Sequence, residues 1–464
     1  MKNLTLKNIA KASNGILKND NSKDIEVDNI TIDSREAKEG SLFVSVVGER
    51  VDGHSFISQV YKKGAMCVLT ERELTDVELS YNKPYIIVES TLQALKDIAK
   101  FYRQQLDVKI IGITGSVGKT STKEIISSVL STKYNVLKTL GNFNNEIGVP
   151  LTLFRLREEH EIAVVEMGIN HFEEMHRLSD IARPNVSVIT NIGICHLENL
   201  ISRDGIFKAK TEMFDYLSDD AYVVLNGDDD KLCNVKEVQG KKPVFYGMDK
   251  KFDVYATDVS ECTIDGISCK VHINGTVIEE NIPIPGIHMV YNAMAATAIG
   301  KYYGLTDEEI ATGIKNSRTI SGRFNVIKKE KLTIIDDCYN ANPVSMKASI
   351  DVLSKGEGRK VAILGDMFEL GEDEVKLHSE IGTYLQGTNI DLTICIGTLA
   401  SNIKASNKKI VYFESLDEFF NEAGNLIKEN DTVLVKASHG MNFAKIVEFL
   451  EKTLVFEVGS KQLP

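Results

Sequence analysis

Lys119 and Thr120 stand directly after Gly115-Ser116-Val117-Gly118, and that order of residue types suits the holding of a polyphosphate. Glycines let the N–H groups of a tight turn point inward at an anion, and the start of a following helix adds its positive dipole end. A lysine placed there reaches the outer phosphates, and the Thr120 hydroxyl suits a magnesium ion. The elements needed to position these groups lie on either side. Ile110-Ile111-Gly112-Ile113-Thr114 predicts a buried strand, and Ile125, Ile126, Val129 and Leu130 recur on one face of the helix expected next. The turn is shorter than the usual phosphate loop, because Ile113 occupies the position of its first glycine. Strand, glycine turn, Gly-Lys-Thr and helix in this order point to a nucleoside triphosphate site formed by Thr114, Gly115, Ser116, Val117, Gly118, Lys119 and Thr120.

The following stretch repeats an apolar strand that ends in a polar residue. Ile162-Ala163-Val164-Val165 ends in Glu166, and Val186-Ser187-Val188-Ile189 leads through Thr190-Asn191-Ile192-Gly193 to His196. Near-continuous apolar runs indicate strands covered on both faces, hence a parallel sheet, and ligands in such sheets collect beyond the strands' carboxyl ends. Glu166 is therefore expected near the phosphate loop as a magnesium ligand. His196 taken alone reads as a hydrogen-bonded structural histidine, and Asp228-Asp229-Asp230 as a turn and helix cap. Asp265-Gly266 and Asn274-Gly275 are hairpin signals. Beyond residue 320, strands at Leu332–Ile335, Val361–Leu364, Leu392–Ile396, Ile410–Phe413 and Thr432–Lys436 alternate with helical patterns, predicting a second open α/β sheet. Asn342 is expected to cap a helix that has Pro343 in its first turn. The first hundred residues hold short strands and Ser34-Arg35, a pattern compatible with a phosphorylated ligand and equally with a small structural domain.

These patterns divide the 464 residues into three α/β units, 1–104, 105–319 and 320–464. A net charge of −12 disfavours nonspecific nucleic-acid binding. The seven cysteines are scattered without a CxxC pair, which argues against a zinc ribbon or a disulfide framework and for a reducing compartment. No apolar run approaches the ~18 residues that would span a bilayer, and the first fifteen residues read as an amphipathic helix and not a signal peptide. The expectation is a soluble cytoplasmic protein with no membrane insertion.

Four separated strings resemble those of the Mur ligases: Thr114–Thr122, Asn142-Phe143-Asn144-Asn145-Glu146-Ile147-Gly148-Val149-Pro150, Gly193 to Phe214, and Gly286 to Asn292. Asp336 to Pro343 and Gly365 to Gly371 are similar to the members that add D-alanyl-D-alanine to UDP-N-acetylmuramoyl-tripeptide, and the Asp-Asn-Pro-Arg string of the third-residue-adding members is absent. The resemblance runs from Asp33 to Ile446. It implies a monomeric ligase of peptidoglycan synthesis with three domains: a small α/β domain for the UDP part of the substrate, a central parallel-sheet ATP-binding domain of P-loop type, and a C-terminal Rossmann-like domain.

The resemblance also distributes roles. Ser34 and Arg35 would hold the UDP part, and Asn144, Asn145, Asn340 and Asn342 would contact substrate. Asn292 would reach toward adenine, Arg323 toward the phosphates and Asp337 toward the ribose. Catalysis would rest on Lys119, Glu166, His196, Lys210 and Arg323. Of two magnesium ions, Thr120 and Glu166 would serve one, and His196 with a carbamylated Lys210 the other. ATP would phosphorylate the tripeptide's terminal carboxylate, and the dipeptide's amine would attack the acyl phosphate. Ile201 departs from the pattern, standing where related ligases have glycine, as do Ala437 and His439, where Gly and Arg are expected. Cys195 and Cys338 flank His196 and Asp337 without a base or oxyanion partner, which predicts passive packing. Another superfamily member, such as the third-residue-adding ligase or a folylpolyglutamate synthetase, and a nucleotide-dependent switch are the alternatives, and a substrate trial separates them.

Overall fold

A computed structural model describes residues 1–19, 24–48, 50–195 and 197–452. His196 therefore lies outside the described residues. Three sheets follow one another along the chain. The first comprises β1 (Ile16–Lys18), β2 (Asn29–Thr31), β3 (Ser41–Val44), β4 (Cys67–Thr70) and β5 (Tyr85–Ile87), in the order β1-β5-β4-β3-β2. Its strands are parallel except for β1.

The central sheet has nine strands: β6 (Lys109–Thr114), β7 (Val136–Lys138), β8 (Ile162–Glu166), β9 (Val186–Ile189), β10 (Tyr222–Asn226), β11 (Val244–Gly247), β12 (Val254–Thr257), β13 (Ile267–Ile273) and β14 (Thr276–Ile282), ordered β14-β13-β12-β11-β10-β9-β6-β8-β7. From β7 to β12 all pairs are parallel, and β13 and β14 continue as an antiparallel hairpin. The expected parallel sheet is thus present and is extended at one edge by the hairpin. The hairpin turns at Asn274 and Gly275, both with positive φ; this twist matches that of the flanking strands, which is why Asn-Gly was informative. Strand β6 lies between β8 and β9, and successive connections leave it in opposite directions. That makes its carboxyl end a topological switch point, where the phosphate loop begins.

The third sheet contains β15 (Asn325–Lys329), β16 (Leu332–Asp336), β17 (Lys360–Gly365), β18 (Leu392–Ile396), β19 (Ile410–Phe413) and β20 (Asp431–Lys436). Its order is β15-β16-β20-β17-β18-β19, parallel apart from the edge strand β15. Packing joins the three sheets. Ile98 and Tyr102 from the helix Thr91–Gln104 share a hydrophobic cluster with Leu153 and Val165, while Ile113 and Ile299 share another with Met346 and Leu364. Lys96 and Arg177 both bind Glu146, so an ionic bridge reinforces the first of these junctions. Among the described residues no helix is long and apolar enough to cross a membrane.

One buried acid stands out in this framework. Glu280 on β14 is 1 % exposed, one of its oxygens accepts from Thr297 and the other has no hydrogen-bond partner among the described residues. Burial pushes its carboxyl up to about 8, and raises the Cys269 thiol opposite it on β13 to about 12. The native state therefore keeps this proton after an unfolded chain has released it. Stability from Glu280 should be full below about pH 4.5, the unfolded value, and fall as pH rises toward 8. The ceiling on that loss is ~5 kcal/mol. Glu280→Gln should flatten this slope in urea unfolding measured from pH 5 to 8.

Candidate functional site

The phosphate loop is built as its residue types demand. Gly118 precedes the helix Lys119–Leu130 with φ +85°, a left-handed conformation that glycine adopts without strain. At Gly115 the constraint is space, since a β-carbon there would lie 1.9 Å from the Thr190 hydroxyl. Residues after β9 lock the loop from outside. Asn191 accepts from the Val117 N–H (3.1 Å) and donates to the Val117 carbonyl (2.9 Å), while the Gly193 N–H donates to Ser116 Oγ (2.9 Å). Asp229 holds this segment in turn, accepting from the Ile192 N–H at 2.7 Å as well as capping the turn at Lys231 and Leu232. The Asp228-Asp229-Asp230 run is therefore a turn and cap, as expected.

Lys119 donates to the Gly115 carbonyl at 2.7 Å. Burial lowers its affinity for a proton, Glu166 opposes that shift and Arg323 adds to it, so all three groups lie within electrostatic reach. Glu166 pairs in register with Ile113 on β6, which brings the two strand ends together. Its carboxylate is buried; Oε1 accepts from Asn144 at 2.8 Å, and Oε2 has no hydrogen-bond partner, with Lys123 Nζ 3.8 Å away. Lys123 was missed in the sequence. Its spacing of four from Lys119 on one helix puts both amines on the same side, which is the signal available for it.

A single cavity collects many of the remaining residues. Ser116, Val117, Gly118, Lys119 and Thr120 line it from the central sheet together with Asn292, whose Oδ1 accepts from Thr122. Arg323, Asp337, Asn340 and Asn342 line it from the third. Asp337 accepts from the Phe324 N–H and from Ser349, and is buried against Lys436. Asn342 caps the helix Pro343–Ser354 through the Ser345 N–H (2.9 Å), so the first turns of two helices face this one space. His288 also faces it; burial draws its imidazole down to about 4, so it is neutral at pH 7.

Other expected residues lie outside the cavity. Ser34 and Arg35 follow β2 on the first sheet, where Arg35 is exposed and clasped by Asp33, whose carboxyl that hydrogen bond draws down to about 2. Asn145 accepts from the Ile147 and Gly148 N–H groups and so starts the helix Gly148–Leu153. Thr114 and Gly115 lie at the base of the loop, and the Thr114 hydroxyl is buried without a partner. Lys210 is on the helix Arg203–Thr211, 1 % exposed, and its neighbour Lys208 is exposed. Burial brings the Lys210 amine down to about 8, with Lys119 adding to the shift and Cys195 opposing it. Cys195 donates to Ser116 Oγ and Cys338 to Asp336, and burial raises the Cys338 thiol.

Among the described residues no three His, Cys, Asp or Glu side chains are grouped to hold a metal ion. The donor set fits magnesium nonetheless when phosphate oxygens complete it. Glu166 Oε2, at the end of β8, is buried and has no hydrogen-bond partner among the described residues, the Thr120 hydroxyl stands in the first turn of the helix after the phosphate loop, and Mg²⁺ is bound through one or two carboxylates plus substrate phosphates.

The departures are now interpretable. Ile201 has φ +67° and is 78 % exposed, so a β-branched residue occupies a backbone conformation that glycine favours. Ala437 is buried and fits because Gly365 faces it: a β-carbon on Gly365 would come within 2.7 Å of the Ala437 methyl. His439 packs its ring 5.3 Å from that of Tyr339.

Comparison with known proteins matches three family profiles along the chain. Residues 26–103 match "Mur ligase family, catalytic domain", 113–300 "Mur ligase middle domain" and 322–439 "Mur ligase, glutamate ligase domain". A UDP-N-acetylmuramoyl-tripeptide--D-alanyl-D-alanine ligase of Bacillus subtilis is 39% identical, over 96% of this chain and 98% of the relative. One of Escherichia coli is 34% identical, over 97% and 99%. Among solved structures, MurF of Acinetobacter baumannii superposes with a TM-score of 0.88 at 33% identity, covering 97% of this chain and 99% of that one. MurF ligase of Thermotoga maritima in complex with ADP gives 0.80 at 30%, covering 92% and 97%.

Ile201→Gly should stabilise the protein by ~1 kcal/mol, since relief of left-handed strain exceeds the entropy glycine adds to the unfolded chain. Urea unfolding of the two proteins side by side measures this, and a less stable glycine variant would refute the strain.

Proposed function

The chain belongs to the Mur ligase family, and we infer on that premise that it is an ATP-dependent ligase joining D-alanyl-D-alanine to UDP-N-acetylmuramoyl-tripeptide. The observation that carries this reading is the cavity shared by two sheets, in which a phosphate loop meets Arg323 and Asp337 beside the neutral His288. A dedicated phosphate loop facing a second half-site on another sheet suits a reaction that must exclude water while a phosphoryl group moves.

Amide formation needs an activated acyl group. The terminal carboxylate of the tripeptide attacks the γ-phosphorus of ATP, and ADP leaves with the electrons of the broken P–O bond. The amine of D-alanyl-D-alanine then adds to the carbonyl carbon of the acyl phosphate, loses a proton, and phosphate departs as the amide closes. Negative charge accumulates in both steps, and Lys119 and Arg323 supply fixed positive charge against it. Asn144 holds one oxygen of the Glu166 carboxylate by a hydrogen bond, leaving the other for a ligand. Thr120 and Glu166 would hold one magnesium ion, and Lys210, as a carbamate with His196, another; such ions screen phosphate charge and polarise its oxygens. Asp337 would accept from the ribose, Asn292 would face adenine, Ser34 and Arg35 the UDP part, and Asn144, Asn145, Asn340 and Asn342 the peptide ends.

For Lys210 the support is chemical. Its amine is dry, has no hydrogen-bond or ion-pair partner among the described residues, and is drawn toward neutrality, which is the form that adds to carbon dioxide. The resulting anionic oxygen is a hard ligand, as magnesium requires.

Mass spectrometry of the product tests the reaction. With ATP, magnesium and UDP-muramoyl-tripeptide, phosphate release should require D-alanyl-D-alanine, and the product should gain the mass of that dipeptide less water. A gain matching one alanine or a diamino acid would refute the assignment. Lys210→Ala should lose at least ~10²-fold in turnover, as for loss of a preorganised electrostatic group, and acetate should restore part of it. Lys208→Ala should remain active. Acetate rescue of the Lys208 variant instead would remove Lys210 from the site.

A further inference from the structure

Arg323 faces the phosphate loop under an unusual arrangement of forces. Among the described residues its buried Nε has no hydrogen-bond partner and no carboxylate pairs with it. Lys119, across the cavity, is close enough for the two charges to repel. A long cationic side chain so placed would swing toward water unless something else held it. The contact that remains is the face of Tyr339, whose ring centroid lies 3.9 Å from the guanidinium carbon. Aromatic faces carry negative potential, and a desolvated cation over one is held more strongly than an exposed one.

The ring is itself fixed. The Tyr339 N–H donates to the Gly322 carbonyl at 3.1 Å, and Gly322 has φ +79°, with Tyr339 atoms 3.0 to 3.4 Å from where its β-carbon would be. The ring also meets His439, at 5.3 Å between centroids. The residue that presents the cation and the residue beneath it are thus tied by backbone before any substrate arrives.

We propose that Tyr339 is a positioning residue for phosphoryl transfer, its ring face holding the Arg323 guanidinium over the phosphate loop against the repulsion of Lys119. The proposal rests on the ligase reading above. It gives a role to the tyrosine of the Asp336–Pro343 string, which the sequence left unassigned.

The test varies the ring's charge without its shape. Phenylalanine and mono-, di- and trifluorophenylalanine placed at position 339 by amber suppression are nearly isosteric, and each fluorine makes the ring face less negative. Tyr339→Phe should keep kcat/KM for ATP within about twofold. The fluorinated series should then fall stepwise, reaching about tenfold for the trifluoro ring, while KM for D-alanyl-D-alanine stays constant. Tyr339→Leu should fall further, with circular dichroism confirming its fold. A flat series, or a Phe variant as impaired as Leu, overturns the proposal. Wild-type enzyme in the same assay separates this outcome from failure of the ligase reading, because in the latter case no protein of the series makes the dipeptide adduct.

Discussion

Repulsion between like charges is the constraint that the centre of this molecule satisfies. Lys119, Lys123, Lys210 and Arg323 gather around the phosphate loop, the three lysines poorly solvated and Arg323 half-buried, with Glu166 as the buried acid among them. Each cation is accommodated differently. Lys119 turns onto the Gly115 carbonyl, Lys123 onto the Thr139 carbonyl and Glu124, and Arg323 onto an aromatic face. Lys210 holds its proton less tightly than an exposed lysine, because burial draws its amine down to about 8. Such a concentration of charge costs stability in the free protein and lowers the cost of binding a polyanion, which is the trade an ATP-using ligase makes.

The supports around that centre come from distant parts of the chain. Asn191 and Gly193 hold the phosphate loop, Asp229 holds their segment, and Arg203 donates to the Ile192 carbonyl while paired with Asp230. A substitution far from the loop in sequence therefore reaches it through two hydrogen bonds.

What the sequence disclosed follows the range of the interactions. The phosphate loop, the Asn342 cap with Pro343, the Asn274-Gly275 turn and the parallel strands were legible because each is decided within a few residues. Glu166 was reached by a rule of topology, since a polar residue that ends a buried parallel strand must emerge near a switch point. The antiparallel extension at β13 and β14 was signalled by its hairpin, but its joining to the parallel sheet was not, because edge pairing is a tertiary choice. Lys123, Asn191 and Tyr339 were passed over for the same reason: their partners Glu166, Val117 and Arg323 lie 43, 74 and 16 positions away, at contacts that only folding creates. Ile201 shows the reverse case. Its departure from glycine was visible in the sequence, and the positive φ gives that departure a physical content.

Two helices begin at the same cavity, Lys119–Leu130 from the central sheet and Pro343–Ser354 from the third. Their positive poles point into one space, so partial charges of the same sign meet across the cleft. A triphosphate held between them would meet favourable charge from both sides at once. The cleft would then be a charge-weighted clasp, its grip set by the net charge of what it holds.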